Sequence, residues 1–180
     1  MVYTLAMKYI AFLRGVNIGG HQVKMAELKK VLESMKLKDV ATLIASGNVS
    51  FEAPELDEAK LADKMEAALE KKFGFAIPVM VRTKGEIQDI VASDPFKDIK
   101  MNDDVRRYVT FLKRPHASKL KIPYIAGKNE FRIIKLAKRE IYSVLEIVDA
   151  KTVDLMGMIE KEFGKEVTTR NWNTVVKMGK

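Results

Sequence analysis

Cysteine is absent from the 180 residues, which excludes disulfides, thiolate nucleophiles and cysteine-ligated metals and suits a reducing cytosol. Histidine is scarce: with only His21 and His116, a histidine-rich metal site is excluded as well. No apolar run approaches the ~20 residues of a membrane span. The opening stretch MVYTLAMKYIAFLRG lacks a basic leader and runs directly into a strand pattern, so it is not read as a signal peptide, and Met7 is a candidate natural start. These absences set the expectation of a cytoplasmic protein with no membrane partner, metal or cofactor.

What is present is an ordinary globular composition, 47% apolar and 31% charged, with one uneven feature. The net charge of +8 is concentrated between Arg106 and Glu140, where eleven basic residues face two acids, Glu130 and Glu140. That segment alone is +9, so the remainder of the chain sums to −1. Clustering of this kind points to an anionic partner.

Residues 7–14, MKYIAFLR, form an apolar and aromatic run bounded by Gly15 and read as a strand. From Lys24 the period changes, with Met25, Leu28, Leu32 and Met35 at helical spacing among lysines and glutamates. VATLIASGNVSFEA gives two strand-like runs broken at Gly47-Asn48, a pair suited to a tight hairpin, and Pro54 stops the second. Asp57 is placed to cap a helix carrying Leu61, Met65, Leu69 and Phe73, with Gly74 at its C-terminal end and the strand IPVMVRT beyond. The order strand, helix, strand, strand, helix, strand is that of a ferredoxin-like βαββαβ unit.

The second half repeats the plan. KYIAFLRG (8–15) resembles RYVTFLKR (107–114), LEKKFG (69–74) resembles IEKEFG (159–164), and VRTKGEIQDI (81–90) aligns with TRNWNTVVKM (169–178), setting Arg82 on Arg170 and Thr83 on Asn171. NEFRIIKLA and REIYSVLEIV supply a second hairpin, followed by a helix from about Val153 to Phe163. The first helix has no counterpart: residues 113–128 read as an irregular basic segment with two prolines. The expected architecture is α+β, with two ferredoxin-like subdomains from an internal duplication, 7–93 and 94–180, meeting near Asp94-Pro95-Phe96.

Gly15 and Gly20 in FLRGVNIGGHQ have the spacing of a Walker loop, but His21 and Gln22 stand where its lysine and hydroxyl belong, so nucleotide hydrolysis is not expected. Topology gives the stretch another meaning. The first strand's exit and the hairpin between the second and third strands share one end of the sheet, which brings Arg14, Asn17, Ser46 and Asn48 to a common rim able to bind a small anion or to tie two loops together. In TTRNWNTV, Thr83 and Glu86 of the aligned repeat have capping-box spacing, so Asn171 is expected to cap the last helix. Arg170, Asn171, Trp172 and Asn173 remain ligand-binding candidates, since an aromatic beside amides at a helix N-terminus offers a stacking face and an anion seat. For a nucleic acid or other polyanion the candidates are Arg106, Arg107, Lys113, Arg114, Lys135 and Lys138. No grouping nominates a nucleophile or a general base, so no catalytic residue is assigned.

The ordered motifs FLRGVNIGG, MAEL, IASGNVSFEA, FGFAIPVMVRT, DPF and TTRNWNTV resemble the bacterial family known as domain of unknown function 1697, over residues 7–178. The resemblance implies paired ferredoxin-like subdomains and confers no activity. The expected function is binding of nucleic acid or another polyanion through residues 106–140; the alternative is a small-ligand-binding protein or enzyme with a polar site at Arg14, Asn17, Ser46 and Asn48, to which Trp172 is a candidate addition.

Overall fold

Strand MKYIAFL leads directly into the centre of a sheet. The structure, a computed structural model describing residues 6–43, 47–54, 57–127, 130–147 and 154–180, contains two antiparallel sheets and five helices. Two compact units divide the chain, Met1–Ile87 and Gln88–Lys180.

In the first unit β1 (Ala6–Leu13), β2 (Lys38–Thr42), β3 (Asn48–Pro54) and β4 (Val79–Thr83) lie in the order β2-β3-β1-β4. Helices α1 (Met25–Ser34) and α2 (Glu58–Phe73) share one core with one set of strand side chains: Leu28, Leu32, Leu61, Met65 and Leu69 pack with Tyr9, Ala11, Phe51 and Val81. Each buried leucine contributes about 1.5–3 kcal/mol by removal from water. The alternate set, Ile10, Phe12, Met80 and Arg82, is also fully buried, which is why β1 reads as a continuous apolar run. Local chemistry sets the bounds of α2. Asp57 accepts from the Lys60 N–H (2.8 Å), and Gly74 ends the helix in the left-handed region at φ 80°.

The tight turn expected at Gly47-Asn48 is corrected. Gly47 does take a left-handed φ of 92°, but Asn48 already begins β3, and its carbonyl accepts from the Leu43 N–H (2.8 Å). Residues 43–47 therefore separate β2 from β3, and Ser46 lies outside the described residues.

Helix α3 (Lys84–Ser93) follows β4 without a linker. The second sheet has the order β6-β7-β8-β5-β9, from β5 (Val105–Leu112), β6 (Tyr124–Ala126), β7 (Phe131–Leu136), β8 (Glu140–Glu146) and β9 (Val167–Asn171). On one face α4 (Leu155–Phe163) sets Ile159 and Phe163 against Leu112, Phe131, Ile133 and Val167. Helix α5 (Trp172–Gly179) closes the chain. Among the described residues no helix lies between β5 and β7, in keeping with the irregular segment read there, although Tyr124–Ala126 adds an edge strand that the sequence reading lacks.

A polar cleft at the start of strand β5 as the candidate functional site

At the rim of the first sheet, Phe12 lies in register with Asn48 and the Leu13 N–H donates to the Gly47 carbonyl (2.7 Å), so the exit of β1 does meet the β2–β3 connection. The side chains there are turned to local use. Asn17, left-handed at φ 60°, accepts the Val23 N–H on Oδ1 (2.8 Å), while its own N–H donates to the His21 carbonyl (2.9 Å). Asn48 is buried and donates from Nδ2 to the Leu43 carbonyl (3.4 Å). Arg14 is half-buried, and His21 packs its ring 4.3 Å from that of Phe75. Two amides of the expected ligand rim therefore brace their own loops.

The basic segment is dispersed rather than laid out as one stripe. Lys113 is only 3% exposed and meets Glu166 at 3.2 Å, and Arg114 reaches the same carboxylate at 3.2 Å. Lys135 sits over the Tyr142 ring (5.7 Å) and Arg107 over the Phe96 ring (5.9 Å). Lys138 is exposed. Strand alternation sends Arg106 and Arg107 to opposite faces of the sheet.

The pairing of β5 with β9 brings together residues far apart in sequence. Tyr108 lies opposite Asn171, so the start of β5 borders the junction of β9 and α5. Around that junction is a cleft of about 380 Å³ lined by Met101–Asp103, Val105–Arg107 and Asn171–Asn173. Arg106 donates from Nη1 to the carbonyls of Asp103 and Val105, which tethers its guanidinium to the cleft wall. Asn171 accepts the Asn173 N–H (2.9 Å) and caps α5 as expected. Trp172 is buried, its ring meeting Phe96 edge-on at 5.1 Å, so packing absorbs most of the indole. Arg170 lies just inside, donating to Thr168 Oγ1 (2.8 Å) and the Thr169 carbonyl (2.9 Å). Burial draws its guanidinium down to about 10, so it stays protonated at neutral pH. Sequence reading missed Asn102 and Asp103. Their signal was the stretch MNDD ahead of a strand, where Asn102 Oδ1 accepts the N–H groups of Asp104 (2.8 Å) and Val105 (3.1 Å) as an Asx turn.

With Asn171 and Trp172 in the cleft and Arg14, Asn17 and Asn48 at the rim, the motifs that carried the family resemblance have their places. The profile of a family described as protein of unknown function DUF1697 matches residues 7–142. The chain belongs to this family. The match is shorter than the 7–178 expected from the motifs and leaves TTRNWNTV beyond its end. A similar solved structure is that of the conserved bacterial protein SP0830 from Streptococcus pneumoniae. It is 19% identical, superposes with a TM-score of 0.68, and is covered over 98% of its length by 97% of this chain. At that identity the likeness speaks to the fold alone. No curated protein matches the sequence significantly. Among the described residues no group of three or more histidine or carboxylate side chains could hold a metal ion, and no helix is long and apolar enough to cross a membrane.

Proposed function

We propose that the second unit binds a small anionic ligand bearing a phosphate or carboxylate, in the cleft between Asn102–Arg107 and Asn171–Asn173. One observation carries this reading: Asn102, Arg106, Arg107, Asn171 and Asn173 all line a single cleft of about 380 Å³ beside the start of α5. Guanidinium forks bind such groups bidentately, and a helix N-terminus adds a partial positive charge. The two arginines outweigh the one carboxylate of the lining, Asp103. Neither histidine is among the lining residues, and binding without a covalent or general-base step is the role proposed.

A second reading, nucleic acid or another polyanion held along residues 106–140, draws support from the exposed Lys119, Lys121, Lys135 and Lys138. It loses support from Lys113 and Arg114, whose charges meet Glu166. Trp172, the only tryptophan, reports on the cleft. Titration with pyrophosphate should change its fluorescence saturably, and Arg107→Ala should weaken binding about tenfold, the equivalent of one charge-assisted pair. A single-stranded oligonucleotide that binds with a steep salt slope, and is lost in Lys135→Glu/Lys138→Glu, would instead establish the polyanion reading. Absence of response to both ligands, by fluorescence and by calorimetry, overturns both.

We also propose that the two units, taken as 7–93 and 94–180, are ferredoxin-like copies. Support comes from matched register and chemistry. Ile10 pairs with Arg82 and Tyr9 with Thr83, while the aligned Val109 pairs with Arg170 and Tyr108 with Asn171. Each arginine donates from Nη1 to the carbonyl of the residue before it, at 2.8 Å from Arg82 and 2.9 Å from Arg170. Leaving β6 aside, the order β7-β8-β5-β9 parallels β2-β3-β1-β4.

A further inference from the structure

In the first unit, the connection from β1 to the β2–β3 pair carries α1, whose Leu28 and Leu32 are completely buried in the core. In the second, the connection from β5 to β7 carries no helix among the described residues, and only Leu120 of its irregular part joins the apolar cluster under α4. What remains beside α4 is a cavity of about 330 Å³, lined chiefly by Leu120, Tyr124, Phe131, Ile133, Met158 and Phe163. Its floor is core: Phe131 is 0% exposed and Ile133 2%. Protein interiors pack to crystal density, and apolar cavities of this kind take up apolar molecules. The volume lies in the range of small-molecule sites.

The border of the cavity is charged, and its two charges differ in availability. Glu162 accepts the Ser118 hydroxyl at 2.6 Å, which commits that carboxylate to the irregular segment. Lys161 is exposed and has no ion pair among the described residues. We propose that this cavity binds an amphiphilic carboxylate of medium chain length, the hydrocarbon body lying against Phe131, Ile133 and Met158 and the carboxylate at the Lys161 ammonium. The site is independent of the arginine cleft and does not rest on the function proposed for it.

The test uses the whole chain, with decanoate and decan-1-ol titrated calorimetrically below their aggregation concentrations. Both should bind. Met158→Trp, which fills the cavity from α4, should weaken both at least about tenfold while the thermal midpoint holds or rises. Leu120→Trp, on the irregular segment, should do the same and serves if the first variant fails to fold. Lys161→Glu should weaken decanoate about fivefold and leave decan-1-ol unchanged, as expected for an exposed charge contact. Failure of both ligands to bind, binding unaltered in a folded tryptophan variant, or equal loss of both ligands in Lys161→Glu would overturn the proposal.

Discussion

Two helices cover one face of the first sheet, whereas one helix and an irregular basic segment cover one face of the second. The first arrangement fills its core with Leu28, Leu32, Met65 and Leu69, and its surface lysines pair along or between elements, as in Lys29–Glu33 (3.7 Å) and Lys72–Glu27 (3.8 Å). In the second, a cavity borders α4, and two cations, Lys113 and Arg114, share one carboxylate. A helix is an efficient source of knobs for a sheet, delivering an apolar side chain at every turn. Where it is missing, both packing and charge balance loosen, and those two losses are what a binding surface is made from.

The contrast can be broken most directly in the cores. Leu32→Ala should cost about 2–5 kcal/mol, because the site is sealed on all sides. Leu120→Ala, at the edge of the open cavity, should cost about 1 kcal/mol or less. Urea unfolding of the two variants measures both, and equal losses would mean that the second core is as tightly closed as the first.

The aligned arginines give the next largest effect. Arg82 is fully buried, so Arg82→Ala removes its bond to the Val81 carbonyl and leaves a void, at a cost of about 3 kcal/mol. Arg170→Ala should cost less, since Arg170 is only partly buried and its truncation leaves a smaller void; burial also draws its guanidinium down to about 10, so part of its charge is opposed in the folded chain. Because the unfolded chain holds this proton more tightly, the group's contribution to stability rises as pH climbs through about 10 towards the ordinary arginine range. Chemical unfolding at pH 8 compares the two variants, and a larger loss at Arg170 would reverse the ranking.

Smaller effects sharpen the comparison at the helix starts. Thr83 makes a reciprocal cap with Glu86, its Oγ1 accepting the Glu86 N–H (3.1 Å) and its N–H donating to Glu86 Oε2 (2.8 Å). Asn171 makes one such bond. Thr83→Ala and Asn171→Ala should each cost about 1 kcal/mol in thermal unfolding, with Thr83 the more costly. The smallest effect belongs to the shared carboxylate. Glu166→Gln should cost about 0.5–1 kcal/mol at low salt and nearly nothing at high salt, because Glu166 is largely exposed.

Much of this was legible because it is local. The cap at Asp57, the stop at Gly74, the box at Thr83 and Glu86 and the apolar period of α1 each need only neighbours within a turn. Strand β6 was not legible, since three residues paired at a sheet edge leave little periodicity. The burial of Lys113 was hidden for a different reason. Lysine reads as solvated until the register of β5 carries it inward to meet Glu166, which is fifty-odd positions away. The arginine cleft is the same case on a larger scale: Arg106 and Asn171 come to line one cleft only through the pairing of β5 with β9. Repeat alignment led to Arg82 and Arg170, yet the complete burial of Arg82 emerges only once its strand is assembled in the sheet.

At two places a strand passes into a helix with nothing between: Thr83 ends β4 and caps α3, and Asn171 ends β9 and caps α5. A cap residue in that position is read twice, once by the neighbouring strand and once by the helix. Slippage of β9 by one place against β5 would invert its side chains and at the same stroke carry the amide off the helix end. Misaligned sheets are thereby denied a properly started helix, so each junction works as a ruler that proofreads strand alignment as the chain folds.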